Sequence, residues 1–375
     1  MRWGVISWVA AAALLVGGVL AWTGIRQERE FQRLIAAGDA ALARDETFTA
    51  IEAFSGALAL KRDSMLAHLK RGDTYRRRGE LSAALRDLRA ASELEPTAPR
   101  PLELLGDVNV AMGRYERAID DYRRFLTLDD RAPRVLYKLA HTYYRNGQSD
   151  RAIEPLRQAL AMDTRLSEAH YLLGLCSQET GRIREAIVAL RRALELNPGL
   201  AAARQQLALM YAAANRNREY LEQLEALAAL EPDRPEPAIR VSLAYARAGR
   251  PDVALATLGR TAERYPDDAA VYTTLGRLWL ESATAPTDRA SIAKALQALT
   301  RVAERPGATS ETLTLYGRAL LLSGHTAAAE RALQNAVAQT PVDPLAYRYL
   351  AEAAGALRHN SLAAESELRY AALIQ

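Results

Sequence analysis

The side chains able to catalyse a reaction or hold a metal are few in this sequence and badly spaced for either task. There are five histidines, His68, His141, His170, His325 and His359, and one cysteine, Cys176. A metal centre needs several such ligands to converge, and no CxxC or HExxH spacing occurs. No phosphate-cradling GxxxxGK[ST] loop and no GxSxG nucleophile elbow is present either. The expectation is a protein that is not an enzyme, with no catalytic residues, no cofactor and no metal. A lone cysteine excludes an intrachain disulfide, and Cys176 reads as a quiet, half-buried thiol.

Chemistry by charge is equally muted. Over 375 residues, 49 Lys and Arg stand against 45 Asp and Glu, a net charge of +4. A phosphate backbone calls for a contiguous basic face. Here acidic residues interrupt every arginine-rich stretch beyond Arg76 to Arg78, so no nucleic acid is expected as a partner.

The elements come next. Residues 3–25 carry no charged side chain, and about 20 apolar residues suffice to cross a hydrocarbon core as a helix. Trp3 and Trp22 sit near the two ends, where indole rings favour the membrane interface. The segment 1–25 is therefore expected to be an amino-terminal transmembrane anchor. The competing reading is a cleaved signal peptide, with Val19-Leu20-Ala21 as the cleavage site. Arg2 favours a cytoplasmic start, whereas Arg26, Arg29 and Arg33 favour the reverse. The reading adopted is a single-pass protein of a bacterial cytoplasmic (inner) membrane with its bulk on the periplasmic side. Arg26 to Arg33 lack Gly and Pro, so the span is predicted to run into the following domain without a flexible linker.

Residues 26–375 are self-similar with a period of 34, in blocks starting at Phe31, Met65, Pro99, Pro133, Ser167, Ala201, Pro235, Ala269, Ser310 and Pro344. The eighth residue of each block is small, from Gly38 and Gly72 to Gly317 and Ala351. The twentieth is Ala in most blocks, from Ala50 and Ala84 to Ala329 and Ala363, and the twenty-fourth is commonly Leu, as at Leu88, Leu156 and Leu190. Apolar residues recur at steps of three and four, broken by a glycine such as Gly79 and closed by a proline such as Pro96. That is a pair of amphipathic helices per block. A block of this size cannot bury its apolar face alone, so it stacks on copies of itself.

Ten such blocks in phase resemble the tetratricopeptide repeat family, as found in membrane-anchored bacterial proteins. The resemblance implies an all-α fold, a right-handed superhelix (an α-solenoid) of about ten helix-turn-helix repeats, after the one amino-terminal helix. It also implies that the first helices line a concave face that holds a protein or peptide. The family's inward positions fall on Arg77 in the second block, on Arg134, Tyr137, Lys138, His141, Tyr144 and Arg145 in the fourth, and on Tyr171 in the fifth. Tyr rings offer apolar area with a polar tip, and Arg or Lys pair with carboxylates. The expected ligand is thus a peptide with acidic character. The pairing of Lys and Asn by which some relatives clamp a terminal carboxylate is missing, because position nine reads Asp39, Asp73, Asp107, His141 and Leu175. The family's anchored members point to envelope biogenesis, secretion or complex assembly. The alternatives are an accessory subunit of a separate enzyme, such as a glycosyltransferase, and an exported soluble binding protein.

Four irregularities carry further expectations. Tyr220 and Asn215 replace the usual Ala and turn Gly of the sixth block, which predicts a local bend. The eighth block has about seven extra residues near Ser282 to Asp288, read as a longer loop. Pro155 falls inside a second helix and should bend it. Glu367 and Tyr370 give the last block a polar outer face, as a cap requires. The remaining apolar surface there suggests a homodimer through the carboxyl end.

Overall fold

The computed structural model describes the backbone of residues 2–283 and 288–374, with side chains from Trp22 onward. Among these residues there are twenty helices and no strand. They fall into two units, 1–198 and 199–375.

The first unit contains α1 (Arg2–Ala43), α2 (Thr47–Leu60), α3 (Met65–Arg77), α4 (Leu81–Leu94), α5 (Pro99–Ala111), α6 (Tyr115–Leu128), α7 (Pro133–Arg145), α8 (Ser149–Met162), α9 (Ser167–Glu179) and α10 (Ile183–Leu196). The second contains α11 (Ala201–Ala213), α12 (Asn217–Leu230), α13 (Pro235–Arg247), α14 (Pro251–Arg264), α15 (Ala269–Ser282), α16 (Arg289–Ala303), α17 (Ser310–Leu322), α18 (Thr326–Val337), α19 (Pro344–Ala356) and α20 (Asn360–Leu373). Within each unit a helix packs on its neighbours in sequence, odd on even. Every block start after the first coincides with the first residue of an odd-numbered helix. Pro99, Pro133, Pro235 and Pro344 stand at the first helical position, where a missing N–H costs nothing.

One contact recurs in both units. A Cβ added at Gly72 would lie 2.9 Å from Leu88, at Gly174 2.6 Å from Leu190, and at Gly317 2.4 Å from Leu333. The same holds for Gly38 under Phe54 and Gly106 under Tyr122, at 2.3 and 2.4 Å. Position eight is therefore a socket in the first helix, and the residue at twenty-four of the second helix plugs it. Leu88, Leu156, Leu190, Leu258 and Leu333 are fully buried, as are Ala84, Ala152, Ala186, Ala254 and Ala329 at position twenty. Each seated leucine contributes about 1.5–3 kcal/mol by burial.

Outside the eighth block, the turn between paired helices is equally uniform. In the second block the N–H of Glu80 bonds the carbonyl of Tyr75 at 2.9 Å, with Gly79 at φ +78°. This is a Schellman closure, which needs a left-handed residue. Asn215 supplies that conformation itself, at φ +54°, and Arg216 N–H bonds the Tyr211 carbonyl at 2.8 Å. The sixth block thus keeps its frame, with α11 of 13 residues and α12 of 14 like their counterparts. Its departure shows in burial, since α12 buries only Leu224 and Leu227. Around Pro155, α8 runs unbroken from Ser149 to Met162.

The extra residues of the eighth block lie between α15 and α16, and 284–287 are outside the described residues. The seating of the helix pair is kept across them. The plug for Gly276 is Leu299, where an added Cβ would meet it at 2.4 Å.

α1 continues without interruption from Arg2 into the first block. The Gln27 amide donates to the Leu60 carbonyl at 2.6 Å. Glu28 pairs with Lys61, whose ammonium lies 4.7 Å from the centroid of the buried Phe31 ring. Among the described residues no helix is long and apolar enough to cross a membrane. The run 3–25 expected to span lies, as far as Ala21, outside the residues whose side chains are described.

Gly276→Ala should lower stability by about 1–3 kcal/mol, the usual cost of overfilling a packed site. Gly259 lies inside α14 with nothing within 4 Å of an added Cβ. Gly259→Ala should therefore stabilise by about 0.5–1 kcal/mol through helix propensity alone. Hydrogen exchange of α14 to α16 amides checks both.

Candidate functional site: the first-helix face of α7 and α9

α7 turns Val135, Leu136, Leu139 and Tyr143 into the core. Its remaining positions leave Tyr137, His141 and Tyr144 half-buried and Arg134 and Arg145 exposed. The Tyr137 and His141 rings stack with centroids 6.1 Å apart and planes at 23°. Burial holds the His141 imidazole below its ordinary pKa, and the Arg145 charge adds to that. Burial, then the Glu168 carboxylate, raises the Tyr137 phenol. Tyr144 is raised by burial and by Glu179, to which it is hydrogen-bonded, and Tyr171 by burial. All three phenols are thus neutral and remain donors at physiological pH.

Arg145 is held in place while staying open to solvent. Its guanidinium donates to the Tyr115 hydroxyl at 2.8 Å and lies 5.4 Å from that ring's centroid. Tyr115 opens α6, one repeat back, and was not among the residues expected from sequence. Glu179, at the end of α9, was not either; it accepts from Ser149 as well as from Tyr144. Tyr115 falls at no inward position of the repeat, so the positional rule passes over it. Glu179 does stand at position thirteen, as Arg77 and Arg145 do, and could have been found by that rule.

Three of the expected residues sit differently. Lys138 reaches to the preceding repeat, 2.7 Å from Glu103 and 2.8 Å from Asp107. Asp107 also accepts from the Tyr122 hydroxyl at 2.7 Å. Burial alone would raise the Glu103 carboxyl, but the Lys138 hydrogen bond and charge outweigh it and leave it below the usual range. Lys138 is therefore an internal strut. Lys70 makes the same connection to Asp39 at 2.6 Å, again from position six of one block to position nine of the block before. Arg77 lies on α3, 3.3 Å from Asp73, which also holds Arg76 at 2.7 Å. Arg134 stands at the start of α7 and forms no ion pair among the described residues.

The remaining histidines do local work. His68 bonds Asp87 at 3.0 Å, beside a two-pronged Arg71–Asp87 pair at 2.7 and 2.8 Å. His359 bonds Glu330 at 2.7 Å. Cys176 is fully buried, and burial pushes its thiol up to about 12. Among the described residues, no group of three or more His, Cys, Asp or Glu could hold a metal ion.

Helix pairs stacked one after another, six of them with a plugged glycine socket, define an α-helical repeat protein. Family models for the tetratricopeptide repeat match residues 69–134 and 240–268. A model described as anaphase-promoting complex, cyclosome, subunit 3 matches residues 122–193. These matches, over residues 69–193 and 240–268, support a tetratricopeptide repeat protein. No curated protein matches it. Among solved structures it is similar to a MamA crystal structure, with 26% identity over 43% of this chain and 94% of that one, and a TM-score of 0.42. It is also similar to YrrB, described as a TPR protein with an unusual peptide-binding site, with 24% identity over 49% and 95% of the two chains and a TM-score of 0.45. PilF of Pseudomonas aeruginosa is 20% identical over 58% and 97%, with a TM-score of 0.43.

The native chain binds a proton at His141 less readily than the unfolded chain does. The associated stability is complete above about pH 6.5 and is lost as pH falls below that value toward the native pKa. An NMR titration should place the His141 midpoint below 6.5, and Arg145→Ala should raise it.

Proposed function

We propose that this protein is a non-catalytic scaffold that holds a partner polypeptide on the first-helix face of α7 and α9. The observation that carries this reading is the run of half-buried rings, Tyr137, His141, Tyr144 and Tyr171, beside the braced but open Arg145. Amphipathic rings with few rotamers suit peptide capture because little freedom is lost on binding. Acidic character in the partner follows from Arg145 and Arg134, the two cations there that no carboxylate already neutralises. Lys138 contributes nothing to that attraction, being occupied by Glu103 and Asp107.

The scaffold works at a membrane on this reading. Support comes from the uncharged run 3–25 and from the docking of Gln27 and Glu28 onto Leu60 and Lys61. That docking leaves no swivel, so the repeats stand close to the bilayer, on the periplasmic side of a bacterial inner membrane. Complex assembly in the envelope or in secretion fits this placement. A second copy is a further partner, supported by Leu368, Leu373 and Ile374, which are exposed on and just after α20.

Crosslinking pull-down from membranes should lose the partner by at least tenfold with Arg134→Glu and Arg145→Glu combined; unchanged recovery removes this face as the site. Lys138→Glu should instead unsettle α5 against α7, by about 1–3 kcal/mol, between the values for surface and buried pairs. A spin label at Arg29 should move as slowly as the repeats themselves. Fast motion there would contradict the rigid connection.

A further inference from the structure

The repeat also has a groove built by its second helices. It lies between the second helices of neighbouring blocks, with the first helix of the later block as its floor. Two such grooves are open. One is between α4 and α6, floored by Asn109 of α5. The other is between α14 and α16, floored by Trp279 of α15. Once the seven-residue insertion is subtracted, the two are lined at matching repeat positions.

Position eleven decides what the floor is. It is Tyr in four blocks, and Tyr143 and Tyr211 are buried there. At Asn109 the ring is gone and a polar cleft remains, in which Asn109 donates to Asp121 at 2.8 Å. Three arginines and three carboxylates balance around that cleft, so it favours no ligand charge.

The Trp279 groove is different in three respects. Trp279 is the only tryptophan beyond Trp22, and it is half-buried on the groove floor. Position twenty-five, on the groove wall, is Arg in the second to fifth blocks and Glu in the sixth, but in the seventh it is Gly259. A glycine inside a helix costs stability, and nothing within 4 Å requires it here. About 450 Å³ lies open beside the indole, bounded by Gly259, Ala262, Leu275 and Ala298. The rim then carries two cations, Lys294 with its ammonium 4.2 Å from the indole centroid and Arg301 with its guanidinium 5.2 Å from the Tyr272 centroid. Arg301 donates to the Tyr272 hydroxyl at 3.0 Å. Neither cation forms an ion pair among the described residues, and the one carboxylate on the lining is Glu263.

We infer that the groove between α14 and α16 is a second polypeptide-binding site, which takes a large apolar or aromatic side chain with a carboxylate close beside it. The apolar side chain fills the gap left by Gly259 and packs on Trp279. The carboxylate meets Lys294 and Arg301, which already lie over the rings that flank the gap. The groove is independent of the face on α7 and α9 and belongs to the other unit.

The test is a random nonapeptide array probed with the full chain. Peptides that place Phe, Trp or Leu within two residues of Asp or Glu should be enriched. Gly259→Leu puts a good helix former at that position and fills the gap; it should remove the enrichment, lowering affinity for the selected peptides at least tenfold. Lys294→Glu with Arg301→Glu should shift selection toward basic peptides. Arg145→Glu should leave it unchanged, which separates this site from the other. Enrichment that survives Gly259→Leu, selection of basic peptides by the unaltered chain, or no enrichment at all would each overturn the inference.

Discussion

The seating of a large side chain on a bare α-carbon is the constraint on which everything else in this chain rests. A glycine at position eight lets the second helix approach until its leucine or aromatic ring lies against the first helix backbone. Leu88, Leu190, Leu299 and Leu333 all sit this way. Dense contact of this kind is what gives a small helix pair a fixed geometry. With the pair rigid, the positions left over on each helix point in directions that the next repeat reproduces. Surfaces then arise by register: inward positions of successive first helices share one face, and outer positions of successive second helices share another.

The Lys–Asp struts show how such a face is tuned. Lys70 to Asp39 and Lys138 to Asp107 tie adjoining first helices together. The cations most prominent in the sequence are thereby spent on holding repeats to each other. Those left open are the ones braced by neutral groups, as Arg145 is by Tyr115. A peptide arriving at α7 and α9 meets rings first and charge second.

Much of the fold was legible because one spacing rule repeats many times, so that single departures do not obscure it. The helix starts from Met65 to Pro344 follow directly from it. In the sixth block the missing turn glycine is made good locally: asparagine also tolerates the left-handed conformation, and Asn215 adopts it. The candidate site was legible as a list of inward positions and illegible as a network. Lys138 meets partners 31 and 35 residues away, and Tyr115 braces Arg145 from 30 residues back. Such pairings depend on which rotamer a long side chain takes across a repeat boundary, and a one-dimensional pattern does not encode that. The Trp279 groove was hidden for another reason, because the insertion moves Lys294 and Arg301 out of register with the other blocks.

The seven-residue insertion has a use of its own. Leu299 still seats on Gly276 despite the longer connection between α15 and α16, so the fit of the helix pair does not depend on how far the chain travels between them. Nature has in effect already performed a graft at this corner. A foreign epitope, a fluorophore-carrying loop or a small folded module could be spliced in at the same point, and the flanking helices would still find their bite.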